Sequence, residues 1–557
     1  MQSLLRSLTS RPRLLAELLA ASLLITVLGL ASTAFVMLVL GRYVPYGIDA
    51  TLVTLSVGIS LALVLEFGFR EARRRLAAQA LAPAALERGN AGFAALAGIR
   101  AAVFDRLSAA ARADIMRAVD SVERSHTAAT LTAVLDVPFS ALTVLVLVLI
   151  SPPLALIAVF GMASSVAVTL AGERWLRARM ARVQAAEQRG QHLVATVLRA
   201  SDAVRAFNAG DWLHRRWSQA QADSAALRGD SAAVQGLISS ATQFLTGAQG
   251  VAIIAYGAVL CVEGTLSTAQ LIGANILAAR ALAPLNRLAQ LIEPLARAQW
   301  ALRQLAEIAR LPREQLGGNA LRALEGRLEL SDIAFAYAGA VTPLAEHLSL
   351  SLPAGGIMLV AGPTGAGKTT FARLLLGLAE PLRGRILVDG LDMRQISLEW
   401  WRRQVCYLPQ EPDFIDSTIA DNLRLNHPDL DDAALYRAIA QAGLKSWLDT
   451  TAQGLETMVE DGGKRLPPGL RRRLGLARAL AGGGKVCVFD EPTEGLDDEG
   501  RAAVYTVLRQ LAAEGRTLIL CGNDPALAQG SGMLLDLGHK PVPRVVVAAA
   551  KEAMDHA

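Results

Sequence analysis

The sequence predicts an α-helical domain that crosses a membrane, followed by an α/β domain, and three observations carry that reading. Long uncharged apolar runs crowd the first half, beginning with Leu18–Gly41. Pro312, Gly317 and Gly318 then interrupt the chain, and beyond them short apolar strand patterns alternate with helical ones. Finally, the apolar run Met358-Leu-Val-Ala361 leads straight into Gly362-Pro-Thr-Gly-Ala-Gly-Lys-Thr369 and a helical stretch. The expected division is a membrane domain over 1–310, a linker over 311–322, the α/β domain over 323–545 and a tail over 546–557.

The spans follow in order. Leu18–Gly41 exceeds the ~20 residues that a bilayer needs. Arg6, Arg11 and Arg13 ahead of it read as cytoplasmic anchors of a retained helix rather than a cleaved signal. Arg42, Pro45 and Gly47 make a short link to Ala50–Leu65, which Glu66 and then Arg70, Arg73, Arg74 and Arg75 close on the cytoplasmic side. Val137–Gly172 is too long for one span, and Ser151-Pro-Pro153 divides it into two. Ser231–Val262 gives a fifth span, Glu263 and Gly264 a turn, and the Ala- and Leu-rich run from Thr265 toward Trp300 a sixth. Long loops are rich in arginine and short ones nearly bare of it, so both termini are expected inside. The segments 70–130 and 174–230 are expected to carry helices well beyond the bilayer. Asp136 invites a functional reading at membrane depth, but with Pro138 beside it N-terminal capping is the expected role. Glu17 is expected at the interface.

Composition narrows the functions. A chain of 557 residues with 52% hydrophobic and 19% charged residues has material for two to four domains. The 55 basic residues exceed the 50 acidic ones by only 5 and form no basic and aromatic surface, so no nucleic acid partner is expected. Cys261, Cys406, Cys487 and Cys521 stand singly, which implies neither a disulfide framework nor a zinc site.

The chemistry lies in the second domain. Strand, GxxxxGK[ST] and helix in that order are the phosphate loop of a P-loop NTPase nucleotide-binding domain. Gly362, Gly365 and Gly367 let the backbone approach phosphate, and Pro363, Thr364, Ala366 and Thr370 complete the cradle. Lys368 supplies a cation and Thr369 a hydroxyl for Mg²⁺. Downstream, Lys485-Val-Cys-Val-Phe-Asp-Glu-Pro492 is an apolar strand ending in two acids, with Asp490 read into the Mg²⁺ shell and Glu491 onto the attacking water. ATP and Mg²⁺ are the expected cofactors.

On these residues the chain resembles the ATP-binding cassette family along its whole length. The resemblance implies an exporter half: six helices of the type I exporter kind and one cassette, which must dimerise. It also implies that Tyr337, in Phe335-Ala-Tyr337, stacks on adenine, and that Gln410, in Tyr407-Leu-Pro-Gln-Glu-Pro412, touches Mg²⁺ and faces the membrane domain. Phe35–Pro45 with Thr51–Leu55, Leu135-Asp-Val-Pro138 and Leu271–Leu285 are similar to membrane-domain patterns of type I secretion transporters. That implies export of a polypeptide across a bacterial inner membrane, with membrane lipid around the spans, the nucleotide-binding domain in the cytoplasm, and a periplasmic adaptor and outer-membrane channel as partners. No peptidase-like domain is expected ahead of the first span.

The sequence also departs from the family pattern. Where the family has LSGGQ, this chain has Leu466-Pro467-Pro468-Gly469-Leu470, aligned by Arg471-Arg-Arg-Leu-Gly-Leu-Ala-Arg-Ala-Leu480. Two amide donors and a serine hydroxyl toward the opposite subunit's phosphate are missing. Asn523 stands where the family carries its switch histidine and can hold neither proton nor charge. Glu494 replaces a small polar residue before Gly495-Leu-Asp497, whereas Glu491 is intact. These marks favour a heterodimer with a second half-transporter over a homodimer. The alternatives are export of a lipid, peptide or small molecule, and a regulatory or scaffolding membrane subunit that binds ATP with little hydrolysis.

Overall fold

The computed structural model describes residues 11–125, 127–314, 317–337 and 342–547. Arg6 and most of the expected tail lie outside the described residues. The chain forms two compact units. One runs to Gly98 and resumes over Leu107–Leu311; the other takes Ile99–Arg106 and the described chain from Pro312 onward.

The first unit is helical: α1 (Pro12–Leu38), α2 (Asp49–Ala97), α3 (Ala109–Ser125), α4 (Ala128–Ile150), α5 (Pro152–Arg199), α6 (Gly210–Val262), α7 (Thr268–Gln290) and α8 (Ile292–Ala309). Of these, α1 with the turn that follows it, α2, α4, α5 and α6 are long and apolar enough to cross a membrane. The sixth expected span falls on α7, which has 23 residues and is not among these five; it carries Arg280 and Arg287, which lower its apolar character. The 49 residues of α2 make a helix of about 73 Å at ~1.5 Å per residue, far beyond the ~30 Å hydrocarbon core. Helices α5 and α6, with 48 and 53 residues, overrun it equally. α6 lies along α5, α2 along α1, and α7 against α4 and α6.

The breaks fall at residues suited to them. Pro152 opens α5 directly after Ser151, and Gly47 turns the chain between α1 and α2 in the left-handed conformation. Ser267 and Gln270 cap α7 reciprocally. Thr127, rather than Asp136, caps α4: its hydroxyl accepts the Thr130 amide. Asp136 therefore lies inside the helix, with Pro138 two residues on, and it is paired with Arg73 instead of with backbone amides.

The second unit holds β1 (Leu328–Phe335), β2 (Ala345–Leu352), β3 (Ile357–Ala361), α9 (Lys368–Leu375), β4 (Arg383–Val388), β5 (Leu391–Asp392), β6 (Val405–Leu408), α10 (Pro468–Ala481), β7 (Val486–Asp490), β8 (Thr517–Cys521), β9 (Met533–Asp536) and β10 (Arg544–Val547), with further helices between them, Asp498–Ala513 the longest. An antiparallel sheet runs β2-β1-β4-β5; a second runs β10-β9-β3-β8-β7-β6 and is parallel except at β10. Its central strands are fully buried, as their unbroken apolar sequence requires, because helices and the first sheet cover both faces. Residues 99–106, expected with the membrane domain, pack here: Arg100 pairs with Glu380 at 2.6 Å, Asp105 pairs with Arg373, and the Arg100 amide donates to the Pro312 carbonyl. Two ion pairs to a remote part of the chain leave no mark in local composition.

Candidate functional site

Strands β3, β8 and β7 are neighbours in the parallel sheet, so their carboxyl ends open on one place. This is where an open α/β sheet binds ligands. The phosphate loop follows β3, Asp490 ends β7, and Asn523 follows β8.

The loop is held tightly. Gly367 has φ of 108°, and a Cβ on it would stand 3.0 Å from Leu344 and 3.3 Å from Phe335, so a side chain there would strain the backbone and crowd its neighbours where the loop enters α9. The free amides at the start of α9 face the loop's hollow, an arrangement that suits phosphate. Lys368 is nearly buried; its Nζ donates to the Gly362 carbonyl at 2.8 Å and stands 3.1 Å from Glu491 Oε1. Tyr337 is half exposed, and its hydroxyl donates to the Gly365 carbonyl at 2.8 Å. A hollow of about 150 Å³ is lined by Tyr337, residues 363–370, Gln410, Glu491 and Glu494.

Asp490 is 1% exposed, and neither of its carboxylate oxygens has a hydrogen-bond partner. Burial pushes its carboxyl above the usual range, the charges of Glu491 and Glu494 push the same way, and Thr369 and Lys368 pull against them. A buried, unsatisfied carboxylate beside a threonine hydroxyl is a donor set that fits a hard divalent cation. Glu491 has φ of 50°, uncommon for a residue with a side chain; its amide donates to the Cys521 carbonyl at 2.8 Å, which fixes the backbone between β7 and β8.

Gln410 donates to Glu494 at 3.2 Å, and Glu494 also pairs with Arg472 of α10 at 3.3 Å. Tyr337, the loop, Gln410 and Glu491 thus line one hollow, while Asp490 lies beside Thr369 and Asn523 is bonded to Gly362 at the start of the loop. Leu466–Leu470 do not line it. They lead into α10, where Pro467 is the cap and Pro468 the first residue. Proline at that position removes no intrahelical bond, so both prolines suit the fold while withholding amides from any ligand. The part of Glu494 as a wall of the hollow was not anticipated; an acid where a small residue belongs was its only signal.

Residues 345–494 match the family model described as ABC transporter. The chain carries an ABC transporter ATPase domain. Over 507 residues, 90% of this chain and 71% of the relative, it is 26% identical to the toxin RTX-I translocation ATP-binding protein of Actinobacillus pleuropneumoniae. It is 25% identical to the alpha-hemolysin translocation ATP-binding protein HlyB of Escherichia coli over 505 residues, 90% and 71% of the two chains. Leukotoxin translocation ATP-binding protein LktB of a Pasteurella haemolytica-like species is 25% identical over 507 residues, with the same coverage. A solved structure of a bacterial Atm1-family ABC exporter with ATP bound shares the fold, with a TM-score of 0.87 at 20% identity over 98% of this chain and 96% of that one. The chain thus joins an ABC transporter ATPase domain to a helical domain with five helices long and apolar enough to cross a membrane, an arrangement for ATPase activity coupled to transport, and it shares its fold with a solved exporter.

Proposed function

We propose that this chain is one half of a dimeric exporter of the bacterial inner membrane that moves a polypeptide outward by a type I secretion pathway. Its ATPase domain faces the cytoplasm, and a periplasmic adaptor and outer-membrane channel continue the path. The relatives reported above are toxin translocation proteins, which supports the cargo class. Within the site, Tyr337 stacks on adenine and residues 362–370 cradle the phosphates. Thr369, Gln410 and Asp490 hold Mg²⁺, which offsets the charge of the polyphosphate. Glu491, on leaving Lys368, orients the attacking water, and Asn523 sits at the switch position.

The observation that carries the asymmetric reading is the union of a complete phosphate and acid site with an α10 that opens on Pro467 and Pro468. Paired with a second half bearing an intact signature, this chain's Glu491 works against good donors, while its own prolines serve the partner's nucleotide poorly. The chain reconstituted alone is expected to bind ATP and turn it over slowly, and chains co-purified from the native membrane to restore turnover that Glu491→Gln then removes. Family-like rates from the chain alone, abolished by Glu491→Gln, would refute the need for a partner.

A further inference from the structure

The Asp136 that does not cap its helix belongs to a cluster of charges between α1, α2, α4 and α7. Arg73, 7% exposed, is ion-paired to Asp136 and donates to the Ser22 hydroxyl at 3.0 Å. Glu66, 8% exposed, accepts from Arg70 at 2.9 Å. Arg287 stands 3.6 Å from the Asp136 carboxylate that Arg73 already occupies. Arg280 forms no ion pair among the described residues; its guanidinium donates to the Ser32 hydroxyl at 2.6 Å. Four guanidiniums thus share two carboxylates, and the two left without an acid of their own, Arg280 and Arg287, line a cavity of about 310 Å³ together with Arg70, Glu66 and Asp136.

A partly buried guanidinium without an acid is costly, and a fold that retains one points to an anionic ligand; Arg280 is in that state, whereas Arg287 is more than half exposed and shares Asp136. The Arg280 guanidinium lies against Gly29 of α1, where an added Cβ would stand 2.5 Å from its terminal nitrogen and push it aside. Pro284, one turn beyond Arg280 in the same helix, also lines the cavity. Thr26, Ser140 and Thr143 also line it, the Thr26 and Ser140 hydroxyls donating to the Ser22 and Val137 carbonyls of their own helices. About 18 Å of helix separate Thr268 from Arg280 at ~1.5 Å per residue. The volume sits at the lower end of the ~300–1,000 Å³ of small-ligand sites, room for a side chain rather than a folded ligand.

We propose that this cavity binds a carboxylate side chain of the cargo, held by Arg280 and Arg287, so that the exporter selects polypeptide segments rich in aspartate or glutamate. The proposal rests on the polypeptide-exporter reading and adds its substrate class. A guanidinium fork presents paired donors to a carboxylate, and Arg70 on Glu66 and Arg73 on Asp136 offset the charges of the two acids that line the cavity.

The test uses the full chain in zwitterionic nanodiscs without nucleotide, with a dye-labelled, end-capped oligoglutamate peptide read by fluorescence anisotropy. The oligoglutamate is expected to bind, and equally long oligoglutamine and oligolysine peptides are not. Arg280→Gln and Arg287→Gln should each weaken binding at least about tenfold. Gly29→Ala should weaken it with every charge in place, and Asp136→Asn should tighten it, a gain that a misfolded chain cannot produce. Equal binding of all three peptides, or oligoglutamate affinity unchanged in Arg280→Gln, overturns the proposal. So does loss of binding when phosphatidylglycerol is added to the nanodiscs at fixed ionic strength, which would assign the cavity to a lipid phosphate. ATP-driven export is measured separately: export without carboxylate binding refutes the cavity alone, and binding without export refutes the exporter reading.

Discussion

Asn523 grips Gly362 at both ends of its side-chain amide: Nδ2 donates to the Gly362 carbonyl at 2.9 Å, and the Gly362 amide donates to Oδ1 at 3.1 Å. An imidazole carries its donor and acceptor on separate ring edges and cannot close this pair. The residue at the switch position is thus a clasp on the first turn of the phosphate loop. Two such bonds are together worth about 1–3 kcal/mol. Asn523→Ala should therefore weaken equilibrium ATP binding by roughly 5- to 100-fold and speed hydrogen exchange at Gly362.

Glu494 places a carboxylate on the wall of a hollow that receives polyphosphate, and it occupies Gln410. Its side chain is 52% exposed, so its repulsion is screened and modest. Glu494→Ala should tighten ATP binding about two- to fivefold at low salt, with the gain fading as ionic strength rises. Titration of a fluorescent ATP analogue at several salt concentrations measures both effects.

How legible was all this beforehand? The spans and the phosphate loop were, because each is written in contiguous residues: apolar length for one, glycine spacing after a buried strand for the other. The proline break at 152 and the arginine-rich cytoplasmic exits belong to the same local grammar. What escaped was set by distant pairs. Asp136 reads as a cap from its neighbours alone and becomes an ion-pair partner only when α2 lies alongside it. Asn523 reads as a lost histidine until β8 stands next to β3 and brings it to Gly362. The docking of residues 99–106 in the second unit likewise depends on Glu380 and Arg373, far along the chain.

Asp490 should couple metal binding to pH. Its carboxyl is raised by burial, so on acidification it takes up a proton earlier than an exposed aspartate would. Mg²⁺-dependent nucleotide affinity should fall as pH drops through that raised value, while metal-independent binding holds. Without metal the sign for stability reverses: the native state binds the proton more tightly than the unfolded chain, so ionisation with rising pH costs stability. Asp490→Asn should accordingly raise the melting temperature of the metal-free protein at neutral pH, by roughly 2–4 °C per kcal/mol gained, and erase the further rise that Mg²⁺-ATP gives the parent. Differential scanning fluorimetry with and without Mg²⁺-ATP reads both signs.

Pro467 and Pro468 offer the sharpest test of asymmetry, because the helix they open does not need them. Pro467 caps α10 with no side-chain bond, so serine there should strengthen the cap, and glycine at 468 restores an amide at a cost of under about 1 kcal/mol. Pro467→Ser with Pro468→Gly should leave the melting temperature within a few degrees of the parent. Each recovered donor toward a transferring phosphate is worth up to about 100-fold in rate, so turnover by the chain alone should rise at least tenfold. The same pair should change turnover little when an intact partner half is present, since the productive site there already draws on the partner's signature. Steady-state phosphate release from the two preparations separates the cases: a rise in both, or in neither while ATP remains bound, would mean that the prolines do not set which site of the dimer turns over.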